Sequence, residues 1–120
     1  MQDIQDSILV TPFGELELRN AMQLQVFRKK VTRRETAIPT RTFNSDVLGG
    51  VFSLQPMSSA TFEVGKRLSL KYTAQFGTCT LDIMHVASAL TLEVTTFLSF
   101  DRNQRKLAEA AGLTLVPATV

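Results

Sequence analysis

Residues 80–116 read TLDIMHVASALTLEVTTFLSFDRNQRKLAEAAGLTLV, and this stretch decides the fold class. Its first part is apolar nearly all round, which predicts a buried helix over residues 81–93. The β-branched and aromatic run at 94–100 predicts a strand. A helix then follows from Asp101 to the stop signal Gly112, and an apolar run at 113–116 predicts a final strand.

The N-terminal part of the chain continues this alternation with weaker signals. A short apolar run at 8–10 predicts a strand that is buried on both faces. Thr11-Pro12 supplies an N-cap and a proline at the first helical position, so we expect a helix that runs to about Lys30. The apolar residues of this helix recur at helical spacing, and they are Phe13, Leu24, Phe27 and Val31.

Two further helices are predicted in the middle of the chain. One lies within 39–56, although Gly49-Gly50 disfavours helix there. The other extends from Ser58 or Ser59 to near Gly77. Strands that alternate with helices predict one α/β domain over residues 1–120 with a mainly parallel sheet. In such sheets, chemistry gathers at the carboxyl ends of the strands.

The composition is typical of a globular protein of the cytoplasm. Apolar residues make up 44% of the 120 residues, enough for a packed core. The only cysteine, Cys79, cannot form an internal disulfide, which favours a reducing compartment. The N-terminus has no signal-peptide pattern, and no apolar run approaches the length of a membrane span. We therefore expect a cytoplasmic location and no membrane partner.

The net charge of +2 is too small to indicate nucleic-acid binding by itself. Five cations nevertheless crowd into one short stretch, namely Arg28, Lys29, Lys30, Arg33 and Arg34. Cations near the C-terminus of a helix complement its dipole, and this explanation is favoured. A patch that contacts phosphates is the alternative.

Three acidic residues stand at positions where an α/β fold could use them. Glu17 lies in register with the apolar stripe of the first helix, unless it is a solvated residue at the rim of that stripe. Asp82 lies in the first turn of the buried helix, where the helix dipole favours an acid. Asp101 directly follows a strand, and with Gln104 it also forms a capping-box pattern.

Together the three acids predict a metal site. Carboxylates that converge repel one another, and a divalent cation relieves that repulsion. Ligation by oxygen atoms alone suits Mg²⁺ or Mn²⁺ rather than zinc. Such ions activate a water molecule and neutralise charge on a phosphate. Capping alone remains the alternative explanation for Asp82 and Asp101.

Three segments resemble the motifs of one family, in the order and spacing of that family. They read VTPFGELELRNA at 10–21, GTCTLDIMHVASAL at 77–90 and FLSFDRNQRKLAEAAGL at 97–113. The first is similar to the second-acid region of PIN domains, and the other two resemble the third-acid and fourth-acid motifs. The chain thus resembles the PIN domains of VapC-type ribonucleases, the toxins of bacterial toxin–antitoxin pairs.

The resemblance implies a three-layer α/β/α fold and a metal-dependent ribonuclease. It implies that the catalytic, metal-binding carboxylates are Glu17, Asp82 and Asp101. Ser99 matches a hydroxyl that helps to arrange the cluster, and Asn103 stands where some members carry a further acid. The implied cofactor is Mg²⁺ or Mn²⁺. The implied partners are an RNA substrate, an antitoxin protein and a second copy of the chain in a homodimer.

The family's first strand, which ends in the first acid, has no counterpart in these 120 residues. Asp3 and Asp6 follow no apolar run, so neither takes that role. We therefore expect that a neighbouring chain supplies the strand or that the sequence is part of a longer chain. A non-catalytic PIN-like module that binds a partner, or an inactive fragment, is the alternative function. An unrelated α/β domain that binds a small ligand is the third possibility.

Overall fold

The computed structural model of the protein describes residues 7–119 and has a mixed α/β architecture. Within these residues the strands are β1 (Ile8–Val10), β2 (Phe52–Leu54), β3 (Thr96–Leu98) and β4 (Thr114–Val116). The helices are α1 (Pro12–Phe27), α2 (Ala37–Leu48), α3 (Ser59–Leu68), α4 (Ala74–Phe76), α5 (Thr80–Thr91) and α6 (Arg102–Ala110). A 3₁₀ turn, Arg34–Thr36, precedes α2, and a π-helical turn, Ser69–Thr73, joins α3 to α4.

The chain divides into two compact units, one ending at Pro56 and the other beginning at Met57. Each unit contains one pair of parallel strands, β1 with β2 and β3 with β4. Parallel pairing was predicted and is confirmed, whereas the three-layer arrangement stays a prediction. The sequence-based conclusions on Asp3 and Asp6 fall outside the described residues. Across residues 7–119, no helix has the length and apolar character needed to cross a membrane.

In the first unit, the predicted strand at 8–10 is confirmed. The helix predicted between Pro39 and Pro56 is also present, but it begins earlier, at Ala37, and residues 49–56 lie outside it. The helix ends at Leu48, and Gly50 turns the chain with a φ of 82°, a conformation that glycine adopts at little cost. Phe52–Leu54 then forms β2 and pairs with β1. Just after β2, the Gln55 N–H donates a hydrogen bond to the Val10 carbonyl at 2.8 Å and so extends the pairing of the two strands.

Helix α1 begins as predicted, because the Gly14 N–H donates to the Thr11 hydroxyl at 3.1 Å. It ends at Phe27, slightly before the predicted limit. Its apolar stripe is not part of a buried core, since α1 contains no buried residue and Phe27 is 82% exposed. Ile8 is also exposed, so β1 is not buried on both faces throughout. Helical spacing shows which residues share a face of the helix. Whether that face is buried depends on whether another part of the protein packs against it.

The second unit contains a compact apolar core in which α5 packs against α3 and α6. Its buried residues are Leu68, Ile83, Val86, Ala87, Ala89, Leu107, Ala108 and Leu113. The predicted buried helix is therefore confirmed, with bounds of Thr80–Thr91. Gly65 allows the close approach of α3 to α5, because a Cβ atom there would lie 3.3 Å from the Ile83 Cγ2 atom.

The C-terminal part of this unit follows the predicted order of strand, helix and strand. Strands β3 and β4 pair in register, with Phe97 opposite Leu115. Helix α6 ends before Gly112, whose φ of 96° places it in a conformation that other residues rarely adopt. Helix α6 thus connects two neighbouring parallel strands, and its first turn lies just after the end of β3.

The guanidinium group of Arg105 joins the chain segments that follow β3 and β4. Its Nη1 atom donates to the Ser99 carbonyl at 2.8 Å, and its Nη2 atom donates to the Pro117 carbonyl at 2.7 Å. A longer bond of 3.3 Å reaches the Ala118 carbonyl. A planar fork with several donors can satisfy these acceptors together, whereas a lysine ammonium group cannot match the same geometry.

We therefore expect that Arg105→Lys lowers the free energy of unfolding by about 1–3 kcal/mol, since hydrogen bonds to charged groups contribute about that much. Urea unfolding followed by circular dichroism measures this effect. Arg67→Lys on α3 is the matched control, because Arg67 is exposed and makes no hydrogen bond with the described residues. Equal stabilities of the two variants would contradict the proposed anchoring role of Arg105.

Candidate functional site

Asp82 lies in the first turn of α5, as predicted, and its carboxylate caps the start of that helix. The Asp82 Oδ2 atom accepts hydrogen bonds from the Cys79 N–H and from the Cys79 thiol, both at 3.2 Å. Cys79 is therefore the N-cap residue, one position before the predicted Thr80. Asp82 is half-buried, so the N-terminus of α5 presents a carboxylate that is partly accessible to solvent.

Asp101 is the N-cap of α6, as predicted, and its side chain is exposed. Its Oδ1 atom accepts a hydrogen bond from the Gln104 N–H at 2.9 Å. The other carboxylate oxygen of Asp101 has no hydrogen-bond donor among residues 7–119. The Asp101 N–H donates to the hydroxyl of the buried Ser99 at 3.1 Å, so Ser99 holds the backbone at this position.

Gln104 connects the two aspartates. The capping-box pattern predicts that its side chain returns to the Asp101 backbone. Instead, the Gln104 Nε2 atom donates to the Asp82 Oδ1 atom at 3.4 Å, while the Gln104 N–H binds Asp101. Gln104 thus contacts the carboxylates of Asp82 and Asp101, which are 19 residues apart in sequence and lie at the N-termini of two different helices. The role of Gln104 as a link was missed because the capping pattern already explained the residue.

The other residues singled out in the sequence, Glu17, Asn103 and the five clustered cations, are all exposed. Glu17 lies on α1 in the first unit and is exposed, which agrees with the solvated alternative rather than with a core-facing position. Asn103 is an exposed residue in the first turn of α6. The cations Arg28, Lys29, Lys30, Arg33 and Arg34 directly follow α1 and are all exposed. The second unit therefore brings together Asp82, Asp101 and Ser99, with Gln104 between the carboxylates.

The donor atoms of this pair suit Mg²⁺ or Mn²⁺, because both residues present carboxylate oxygens. Among residues 7–119, no group of three or more His, Cys, Asp and Glu side chains is arranged to hold a metal ion. Mg²⁺ commonly keeps several water molecules and binds through one or two carboxylates together with substrate phosphates. The carboxylates of Asp82 and Asp101 are oxygen donors of the kind that such an ion accepts, and the metal site itself stays a prediction, as does the participation of Glu17.

Comparisons of the chain with protein-family models, with curated proteins and with solved structures find no match. The likeness to PIN domains accordingly rests on the three sequence motifs alone.

Proposed function

We propose that the protein is a metal-dependent ribonuclease of the toxin–antitoxin type. The observation that carries this proposal is the joint contact of Gln104 with Asp82 and Asp101, which links the two acids of the third and fourth motifs. The order of the motifs in the sequence supports the same assignment. The proposed reaction is the hydrolysis of a phosphodiester bond in RNA by a water molecule.

In this proposal Asp82 and Asp101 are the carboxylates that hold Mg²⁺ or Mn²⁺, with Glu17 as the third acid. The bound ion would neutralise charge on the phosphate and lower the pKa of the attacking water. Gln104 would orient the Asp82 carboxylate, and Ser99 would fix the backbone of Asp101 through the 3.1 Å hydrogen bond. Asn103 would contact the site through a water molecule.

The direct test is an RNA-cleavage assay on the chain with Mg²⁺, with Mn²⁺ and with EDTA. We expect cleavage with either ion and none with EDTA. Because an ion held by a few carboxylates keeps coordination positions open for a substrate phosphate, Mn²⁺ should bind more tightly when a non-hydrolysable RNA analogue is present. Isothermal titration measures that coupling. Absence of cleavage under all three conditions would refute the ribonuclease assignment.

A non-catalytic module that binds a partner is the second candidate. It is favoured by large apolar side chains that the first unit leaves exposed, namely Leu16, Phe27, Ile38 and Leu48. Such side chains suit the expected homodimer or the antitoxin as partner. In this case Mn²⁺ titration would show no binding, while light scattering would show an oligomer.

A further inference from the structure

A groove of about 550 Å³ lies on the second unit, along helix α6. Its lining consists of Phe100, Arg102, Arg105, Lys106, Glu109 and Leu115, together with Ala118. Two of these residues, Phe100 and Arg102, flank Asp101 in the sequence. Neither Gln104 nor Asp82 lines the groove, so the groove is separate from the hydrogen bond between these two residues.

One face of α6 forms the charged wall of the groove. Arg102, Arg105, Lys106 and Glu109 follow the spacing i, i+3, i+4 and i+7, which places them on a single helical face. Three of the four are cations, and the single carboxylate is the one furthest from Asp101. This wall therefore attracts anions most strongly near the candidate site, where the positive end of the helix dipole adds to the effect.

The cations of this wall differ in what they contact. Arg105 is fixed by its bonds to the Ser99 and Pro117 carbonyls, so it is a rigid positive charge. Arg102 and Lys106 are exposed and make no hydrogen bond or ion pair with the described residues. Their donors are therefore available to a ligand that carries repeated negative charges, such as a phosphodiester backbone.

Phe100 adds an exposed aromatic ring to the groove, and binding of a small anion would not need such a ring. Its side chain is 71% exposed, although it directly precedes the N-cap of α6. An aromatic ring beside cations is the arrangement with which proteins bind single-stranded nucleic acids, because bases stack on the ring while the cations contact phosphates. Phe100 and Arg102 directly precede and follow Asp101 in the sequence, so this end of the groove lies at the start of α6.

We propose that this groove binds single-stranded RNA, with phosphates at Arg102 and Lys106 and a base stacked on Phe100. The choice of RNA rests on the proposed ribonuclease function. The groove itself binds without metal, because its cations and its ring need no divalent ion. Binding and cleavage are therefore separable in experiment.

The test measures the binding of a short fluorescein-labelled oligouridylate by anisotropy, in EDTA. The double variant Arg102→Ala/Lys106→Ala should bind about tenfold more weakly, and its plot of log affinity against log salt should be less steep by about 1.4, or about 0.7 for each lost phosphate contact. Phe100→Leu keeps an apolar side chain but removes the ring, and it should weaken binding about tenfold.

The matched control is Lys66→Ala/Arg67→Ala, which removes two exposed cations from α3. It should bind RNA like the parent chain. Equal weakening in the control and groove variants would overturn the proposal, as would unchanged binding by the groove variants. Thermal melting of every variant identifies loss of fold, and Arg102→Lys/Lys106→Arg, which keeps both charges, should restore most of the binding.

Two further outcomes separate this proposal from the ribonuclease assignment. If the parent chain binds RNA through the groove but never cleaves it with Mg²⁺ or Mn²⁺, the groove stands and the ribonuclease assignment falls. If the parent chain cleaves RNA and the groove variants bind and cleave equally well, the groove proposal falls alone. Heparin binding that is weakened by Phe100→Leu as strongly as RNA binding would refute the stacking of a base.

Discussion

Asp101→Asn should reduce metal-dependent RNA cleavage by about a hundredfold or more and leave the fold intact. Asparagine is as good an N-cap residue as aspartate, so its side-chain oxygen can still accept the Gln104 N–H bond that is 2.9 Å long in the structure. The substitution therefore removes the negative charge while it keeps the cap. Since outer contacts of a metal site already contribute about 10–100-fold, loss of a direct ligand should cost at least as much.

Asp82→Asn should have a comparable effect for the same reason. The amide oxygen of asparagine can accept the Cys79 N–H bond, and its NH₂ group can face the Gln104 side chain if that amide turns to present its oxygen. The capping of α5 is thus preserved, while a carboxylate ligand is lost. Initial rates of RNA cleavage at saturating Mn²⁺ measure both variants against the parent chain.

Glu63→Gln is the control for both substitutions. It also removes one carboxylate charge, but Glu63 is exposed on α3, and within residues 7–119 it pairs only with Lys66, at 3.0 Å. Exposed ion pairs contribute little to stability, so this variant should cleave RNA at the parental rate. Parental rates in the Asp82 and Asp101 variants would show that these two carboxylates act as helix caps alone.

The accuracy of the sequence-based predictions differs between the two units. In the second unit, the long apolar pattern of α5 and the stop signal at Gly112 located the elements correctly. Those signals are local, because periodicity and a positive φ act within a few residues. Their bounds shifted by one residue at the start of α5, where Cys79 rather than Thr80 is the N-cap.

In the first unit, the sequence predicts a helix where the structure has the strand β2. It has three residues, which is too short to show the alternation that distinguishes a strand from a buried helical segment. Gly49-Gly50 did indicate a break, and Gly50 indeed turns the chain there. The residues that follow become a strand because their backbone pairs with Ile8–Val10, and a pairing over that distance leaves no local pattern.

The candidate site shows the same division between local and distant information. The positions of Asp82 and Asp101 at helix N-termini were predicted, because first-turn acids and N-caps follow from nearby sequence. The contact between Gln104 and Asp82 was not, since it depends on the packing of α6 against α5. The groove lined by Phe100 and Arg102 also required the structure, because Leu115 and Ala118 reach it from the segment beyond α6.

Leu107→Ala should lower the free energy of unfolding by about 2–5 kcal/mol, the range for truncating a large buried aliphatic side chain. Leu107 has no exposed surface and is among the largest fully buried side chains of the described residues. It lies on α6, on the face that packs into the core of the second unit. The same helix carries Asp101 and Gln104, so the core contact of Leu107 fixes the element on which the candidate site depends.

Urea unfolding monitored by circular dichroism measures this loss, with Leu70→Ala as the control. Leu70 is 89% exposed, so its truncation removes the same atoms without opening a cavity, and its effect should stay within about 0.5 kcal/mol. Because the proposed site lies at the start of α6, any RNA cleavage by Leu107→Ala should fall in parallel with folded protein as urea is added. Equal stabilities of the two variants would mean that α6 does not depend on this core, and the positioning of Asp101 by the packing of Leu107 would be disproved.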